Sequence, residues 1–179
     1  MSIRICVHLN EGALIVAARK AGLEENVLNT RFERVGEVPF SSERKLMSTV
    51  HSDAEMPDRL VAFTKGAPEV LVARCSHELV WNKTRILDDA RRVEILETNE
   101  ELASEALRTI GVAFRSLPQD ALELKDADER LEHDLVFSGI IGMIDPPRVE
   151  VAEAVSRARI RTISCESSRR CKKTTPSWQ

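Results

Sequence analysis

Seven residues, Phe63-Thr64-Lys65-Gly66-Ala67-Pro68-Glu69, constrain the fold of this chain more than any other stretch. A β-type run, Arg59-Leu60-Val61-Ala62-Phe63, stops at Gly66, and Pro68 then opens a helical run ending near Arg74. Proline suits the first helical position because it has no N–H to leave unpaired there. Gly66 lets another group approach the backbone closely. Lys65 is thus expected at a strand end beside helix N-terminal amides, a place suited to an anion. Upstream, Pro39-Phe40-Ser41-Ser42-Glu43-Arg44-Lys45 sets an aromatic ring five residues before a lysine. A ring to stack on a base, with lysines for phosphates, makes a nucleotide-binding set. The same residues also describe an ordinary strand–turn–helix junction with surface lysines.

The rest of the chain alternates short β runs with helical ones. Residues 11–21 read as a helix, with Asn10 as its cap, Glu11 at the positive end of the dipole and Gly22 as its stop. Phe32 to Phe40, Lys45 to His51 and Leu60 to Thr64 read as strands, separated by Ser41-Ser42 and by a breaker from Ser52 to Asp58 that contains Pro57. Short strands with polar turns point to antiparallel pairing. A hairpin is expected at Glu78 to Trp81 and Arg85 to Leu87, joined by Asn82-Lys83-Thr84. The long helical pattern from Asp88 runs to Arg108, with strand Thr109 to Ser116 after it. Residues 120–134 are acidic and read as a solvated helix or loop. Leu135 to Ile144 is too apolar and too long for a sheet edge. Pro146-Pro147 then removes two donors and stiffens the connection.

Charge and cysteines narrow the classes. With 42% hydrophobic and 31% charged residues the composition is that of an ordinary globular protein. A net charge of −3 gives no global attraction to nucleic acid or anionic lipid. Tyr is absent and Trp occurs twice, so stacking platforms for single-stranded nucleic acid are scarce. No apolar run approaches the roughly 18 residues that span a bilayer, and the N-terminus lacks a signal-peptide core. Cys6, Cys75, Cys165 and Cys171 form no Cys-x-x-Cys pair and read as reduced thiols, and no metal site is expected from them or from the scattered histidines.

Pro39-Phe40-Ser41-Ser42-Glu43-Arg44-Lys45-Leu46-Met47-Ser48, Lys65-Gly66-Ala67-Pro68-Glu69, Leu107-Arg108-Thr109-Ile110-Gly111-Val112-Ala113-Phe114-Arg115 and the run Asp134 to Arg148 occur in that order. Together they resemble the cytosolic nucleotide-binding domain of P-type cation-transporting ATPases, in the calcium-pump-like branch. The resemblance covers about Glu11 to Val155. It implies an α+β fold, an antiparallel sheet flanked by helices, over residues 10–144. It also implies a hinge at Asp145, Pro146, Pro147 and Arg148, a partial phosphorylation-domain segment over 149–163, and a disordered basic tail over 164–179. ATP, as Mg-ATP, is the implied ligand. By resemblance Phe40 stacks on adenine, Glu11 accepts from its amino group, Lys45 lies near base and phosphates, and Lys65 lines the pocket mouth. Gly66 gives room, Arg108 reaches the terminal phosphates, and Ser42 stands where relatives often carry arginine.

The implied partners are the phosphorylation and membrane domains of a parent pump, with the chain on its cytosolic side and not itself inserted in the membrane. The family's Asp-Lys-Thr-Gly-Thr motif does not occur, and the pattern breaks off abruptly at both edges, as in a truncated or frameshifted product. No catalytic residue is therefore expected: binding without turnover. The alternatives are a non-catalytic interaction or regulatory module, or a pump remnant that no longer binds nucleotide.

Overall fold

The computed structural model describes residues 9–118, 129–144 and 157. In chain order the elements are α1 (Leu9–Lys20), α2 (Glu25–Arg31), β1 (Phe32–Val38), β2 (Leu46–Asp53), β3 (Met56–Gly66), α3 (Pro68–Ala73), β4 (Cys75–Val80), β5 (Lys83–Ile86), α4 (Asp89–Ser104), β6 (Arg108–Pro118), a 3₁₀ turn (Glu129–Leu131) and β7 (Leu135–Met143). All lie in the unit Met1–Ile144. The expected hinge Asp145 to Arg148, the segment 149–163 and the tail fall outside the described residues, Arg157 apart. No described helix is long and apolar enough to cross a membrane.

The seven strands form one sheet in the order β1-β2-β3-β6-β7-β4-β5. Every neighbouring pair is antiparallel except β4 with β7, so the fold is α+β on a mixed sheet. Alternation decides the two faces. Leu46, Ser48 and Val50 of β2, Leu60, Ala62 and Thr64 of β3, and Ala113 and Leu117 of β6 are buried. Leu71 and Val72 of α3, Ile95 of α4, and Leu87 from the link between β5 and α4 cluster with Leu46 and Ala113. Val50, Leu60, Ala62 and Leu117 cluster instead with Val38 and Leu131. The other face carries Met47, Thr49, His51, Phe63, Lys65, Val112 and Phe114 and stays partly open. Interior β7, with Leu135 and Phe137 buried, meets the expectation for its apolar run.

Arginines also attach α4, whose buried residues are Ile95 and Asn99. Arg92 donates to the Val72 carbonyl and, at 2.6 Å, to that of Cys75. Arg91 and Arg85 both reach buried Glu78, at 3.2 and 2.7 Å, and tie α4, β5 and β4 together. Burial pushes the Cys75 thiol up to about 12, so it stays protonated and donates to Leu71 O at 3.1 Å.

Several boundaries differ from those read in the sequence. Asn10 lies inside α1 and does not cap it. Gly22, at φ +79°, does end the helix: Leu23 N–H bonds to Ala18 O and Gly22 N–H to Arg19 O, a Schellman motif. The same closure ends α4 without glycine. Ala106 takes φ +60°, Leu107 N–H donates to Leu102 O, and Ala106 N–H to Ala103 O. Arg108 is therefore the first residue of β6, not the last of a helix. Pro57 sits inside β3, opposite neither neighbour in the register, so its missing N–H costs no ladder bond. The β4–β5 hairpin turns on Trp81-Asn82, with Val80 paired to Lys83. The helix α2 is a seven-residue element with nothing buried and so leaves no amphipathic trace in the sequence.

Candidate functional site

Strand register gathers the expected site residues at one end of the sheet. In β2 and β3, Leu46 is opposite Gly66 and Met47 opposite Lys65. In β3 and β6, Gly66 is opposite Gly111 and Lys65 opposite Val112. Arg108, three residues before Gly111, extends beyond Gly66 at that same end. Four residues of β6 and one strand spacing separate Lys65 from Arg108, about 14 Å between Cα atoms. The pair shares a face by alternation, since Arg108 and Val112 are four apart on an unbulged stretch.

The turn between β1 and β2 closes the same end. Phe40 there is 60% exposed, and Ser42 and Lys45 are exposed beside it. Ser41 Oγ accepts from the amides of Glu43 and Arg44, and Lys45 N–H donates to Ser41 O at 2.7 Å. Lys45 holds φ +56°, and its carbonyl accepts from Ala67 N–H at 3.1 Å. Gly66 makes this contact possible. A Cβ there would lie 2.2 Å from Lys45 O and 2.8 Å from Leu46 Cδ2. The close approach read into Gly66 is thus made by the chain's own turn. The helix N-terminal amides expected beside Lys65 are mostly spent: Ala67 gives its own to Lys45, and Pro68 has none. Glu11 lies on the first turn of α1, and its side chain is outside the described residues.

A cavity of about 390 Å³ opens on the free face beside this end, its lining mostly apolar. Leu14 of α1, Met47, Phe63, Lys65, Val112 and Phe114 line it. Of the expected site residues Lys65 alone is among them; Phe40, Ser42, Lys45 and Arg108 stand at the rim end of the sheet. Sequence reading missed Phe63 and Phe114, directly opposite one another in β3 and β6. Alternation could have found Phe63, two residues before Lys65 in the same strand; Phe114 joins it only through the β3–β6 register.

Phe63 is held edge-on by Phe32 at 5.6 Å and by His51 at 5.5 Å. His51 Nδ1–H donates to Phe32 O at 3.2 Å, leaving Nε2 to accept from Thr49 Oγ1 at 3.0 Å. Burial holds its imidazole below the ordinary histidine value. The Phe32 carbonyl opposes this and Arg34 adds to it, so the neutral ring is favoured. The arrangement offers aromatic and apolar surface for a flat ring, and cations spaced along one end for a polyanion.

Comparison with known proteins identifies the family. Residues 7–150 match the model of the family described as P-type ATPase, cytoplasmic domain N. A calcium-transporting ATPase 1 of Bacillus cereus is 38% identical over 156 residues, 86% of this chain and 17% of that protein. A calcium-transporting ATPase of Listeria monocytogenes gives the same figures. An endoplasmic reticulum-type calcium-transporting ATPase 3 of Arabidopsis thaliana is 35% identical over 127 residues, 70% of this chain and 12% of that protein. The chain therefore spans about a sixth of the length of the bacterial relatives it matches. Between them, the family match across 7–150 and the identity with calcium-transporting relatives establish that this chain belongs to the cytoplasmic N domain family of P-type ATPases.

Proposed function

We propose that the chain binds Mg-ATP at the end of the sheet where Phe40, Lys45, Lys65, Gly66 and Arg108 converge. One observation carries this reading. The turn with Phe40 and Lys45, the end of β3 with Lys65 and Gly66, and the start of β6 with Arg108 lie at the same end of the sheet. Next to them is a cavity lined by apolar groups and Lys65, and this supports the reading. Phe40 takes the adenine face, Glu11 its amino group, and Lys65 with Lys45 and Arg108 the phosphates. Arginine suits the outer phosphates because its fixed fork bonds two oxygens at once. Ser42 adds no charge, so affinity rests on few terms. A base–aromatic stack gives about 1–3 kcal/mol, and each bond to a charged group about 1.5–3 kcal/mol. Less the several kcal/mol lost on association, this leaves affinity between about millimolar and high micromolar. In a complete calcium-transporting pump, ATP held here would phosphorylate an aspartate on another domain, with Asp145 to Arg148 as the return hinge.

Titration of the purified chain with ATP and with adenosine, followed by amide NMR shifts, tests the assignment. Saturable shifts are expected. Phe40→Ala weakens both ligands by about tenfold, whereas Lys65→Ala and Arg108→Ala weaken ATP and leave adenosine unchanged. A folded chain unresponsive to ATP at tens of millimolar overturns the reading and favours a non-catalytic interaction module. Magnesium-dependent phosphate release by the pure chain would overturn the division between binding and chemistry.

A further inference from the structure

We propose that Arg44 and Glu132 are a positioning pair that presets the turn carrying Phe40, Ser42 and Lys45. The inference rests on the nucleotide reading above and goes beyond it, because it assigns the pair no ligand contact. Glu132 is fully buried, directly after the 3₁₀ turn Glu129–Leu131. Its carboxylate receives Arg44 Nη1 at 2.6 and 2.7 Å and Ser48 Oγ at 3.0 Å; Ser48 in turn lies 2.9 Å from the Thr64 hydroxyl. The same guanidinium reaches back through Nη2 to the Pro39 carbonyl at 2.6 Å, and its Nε lies 3.0 Å from Glu129 Oε1. One planar fork therefore joins the start of the turn to a segment 88 residues downstream.

Packing alone does not require an ion pair here, since apolar residues of similar volume commonly replace a buried pair without loss of stability. The fork adds direction. With Arg44 tied to both Pro39 O and Glu132, residues 40–43 have little freedom, and Phe40 and Lys45 project from a preset frame. A loose turn would lose backbone and rotamer freedom when ligand bound, and affinity would fall accordingly. Glu132 also consumes the charge of Arg44. Although Arg44 precedes Lys45 directly, its guanidinium is turned to Glu132 and the Pro39 carbonyl.

The test is a cycle in the full chain combining Phe40→Ala with the double variant Arg44→Met/Glu132→Leu, which keeps volume while removing the fork. Both ATP and adenosine should bind the double variant about tenfold more weakly than wild type. Phe40→Ala, costing about tenfold in wild type, should cost under twofold on this background, a coupling that lost stability alone does not produce. An equal Phe40→Ala factor on both backgrounds, or undiminished affinity of the double variant, overturns the proposal. Should the double variant fail to fold, Arg44→Lys keeps the charge, loses the fork, and is read the same way. A wild-type chain that binds no nucleotide sinks the nucleotide reading instead. Amide relaxation of residues 39–45 without ligand still judges the anchor: added fast motion in the variant supports it, and unchanged order overturns it.

Discussion

At Gly66 a single hydrogen stands where any other residue would put a carbon 2.2 Å from a backbone oxygen. Gly66→Ala must push the Lys45 turn away from β3. The expected cost is about 1–3 kcal/mol, seen as a lower Tm, with ATP affinity falling because Lys45 moves with its carbonyl. Sequence reading identified Gly66 as a point of close approach but not what approaches, since the Lys45 carbonyl is twenty-one positions away in the chain. His51 sets a pH dependence. Its folded-state value is lowered by burial, so the unfolded chain binds more protons just below the ordinary 6.5. Stability should be full above pH 6.5 and decline as pH falls from there toward the folded value. Thermal melts of His51→Gln across that window should lack the decline. Asp53 behaves likewise at lower pH. Arg31 holds its carboxyl below the ordinary 3.8 through bonds of 3.0 and 3.1 Å, a contribution present above that value and lost beneath it.

Elements show why some boundaries were legible and others were not. Gly22 announces the end of α1 by its type, because a left-handed residue costs glycine nothing. Ala106 makes the same turn at the end of α4 with no such signal, and the helical pattern reads on through Arg108. Left-handed geometry costs an L-residue roughly 1–2 kcal/mol, so Ala106→Gly is expected to raise stability by about 0.5–1 kcal/mol in denaturant titration. The helix α3 was legible throughout: Pro68 at its first position, then Leu71 and Val72 facing inward. Leu71, fully buried, would leave a cavity beneath Gly111, and Leu71→Ala should cost about 2–5 kcal/mol. The edge strand β5 keeps Lys83 and Arg85 beside exposed Ile86 and a hairpin tip where Trp81 is 92% exposed. Charge on an edge discourages pairing with another chain. Lys83→Val/Arg85→Val should self-associate at concentrations where wild type sediments as a smaller species.

Over the whole molecule, local chemistry and distant contact divide the work. Period-two runs, Pro68, Gly22 and the polarity of the turns determined where strands and helices lie, because each acts through backbone preferences within a few residues. The order β1-β2-β3-β6-β7-β4-β5 was not written in any of them. It inserts α3, β4, β5 and α4 between two neighbouring strands and sets β4 parallel to β7. Burial selects that order: α3 and α4 pack over Leu46, Ala113, Leu135 and Phe137, and Leu131 packs with Val38, Val50, Leu60, Ala62 and Leu117. For the proposed site, residue types and spacing pointed to Phe40, Lys45 and Lys65 as suited to a ring and a polyanion, and the family resemblance added Arg108. Register across β2, β3 and β6 put Lys65 and Arg108 on one face, with Phe63 and Phe114 on that face near Lys65. Nothing near Arg44 in the chain distinguished it from a surface arginine. Its role was decided by Glu132, buried 88 residues away, where an unpaired carboxylate is too costly to leave alone.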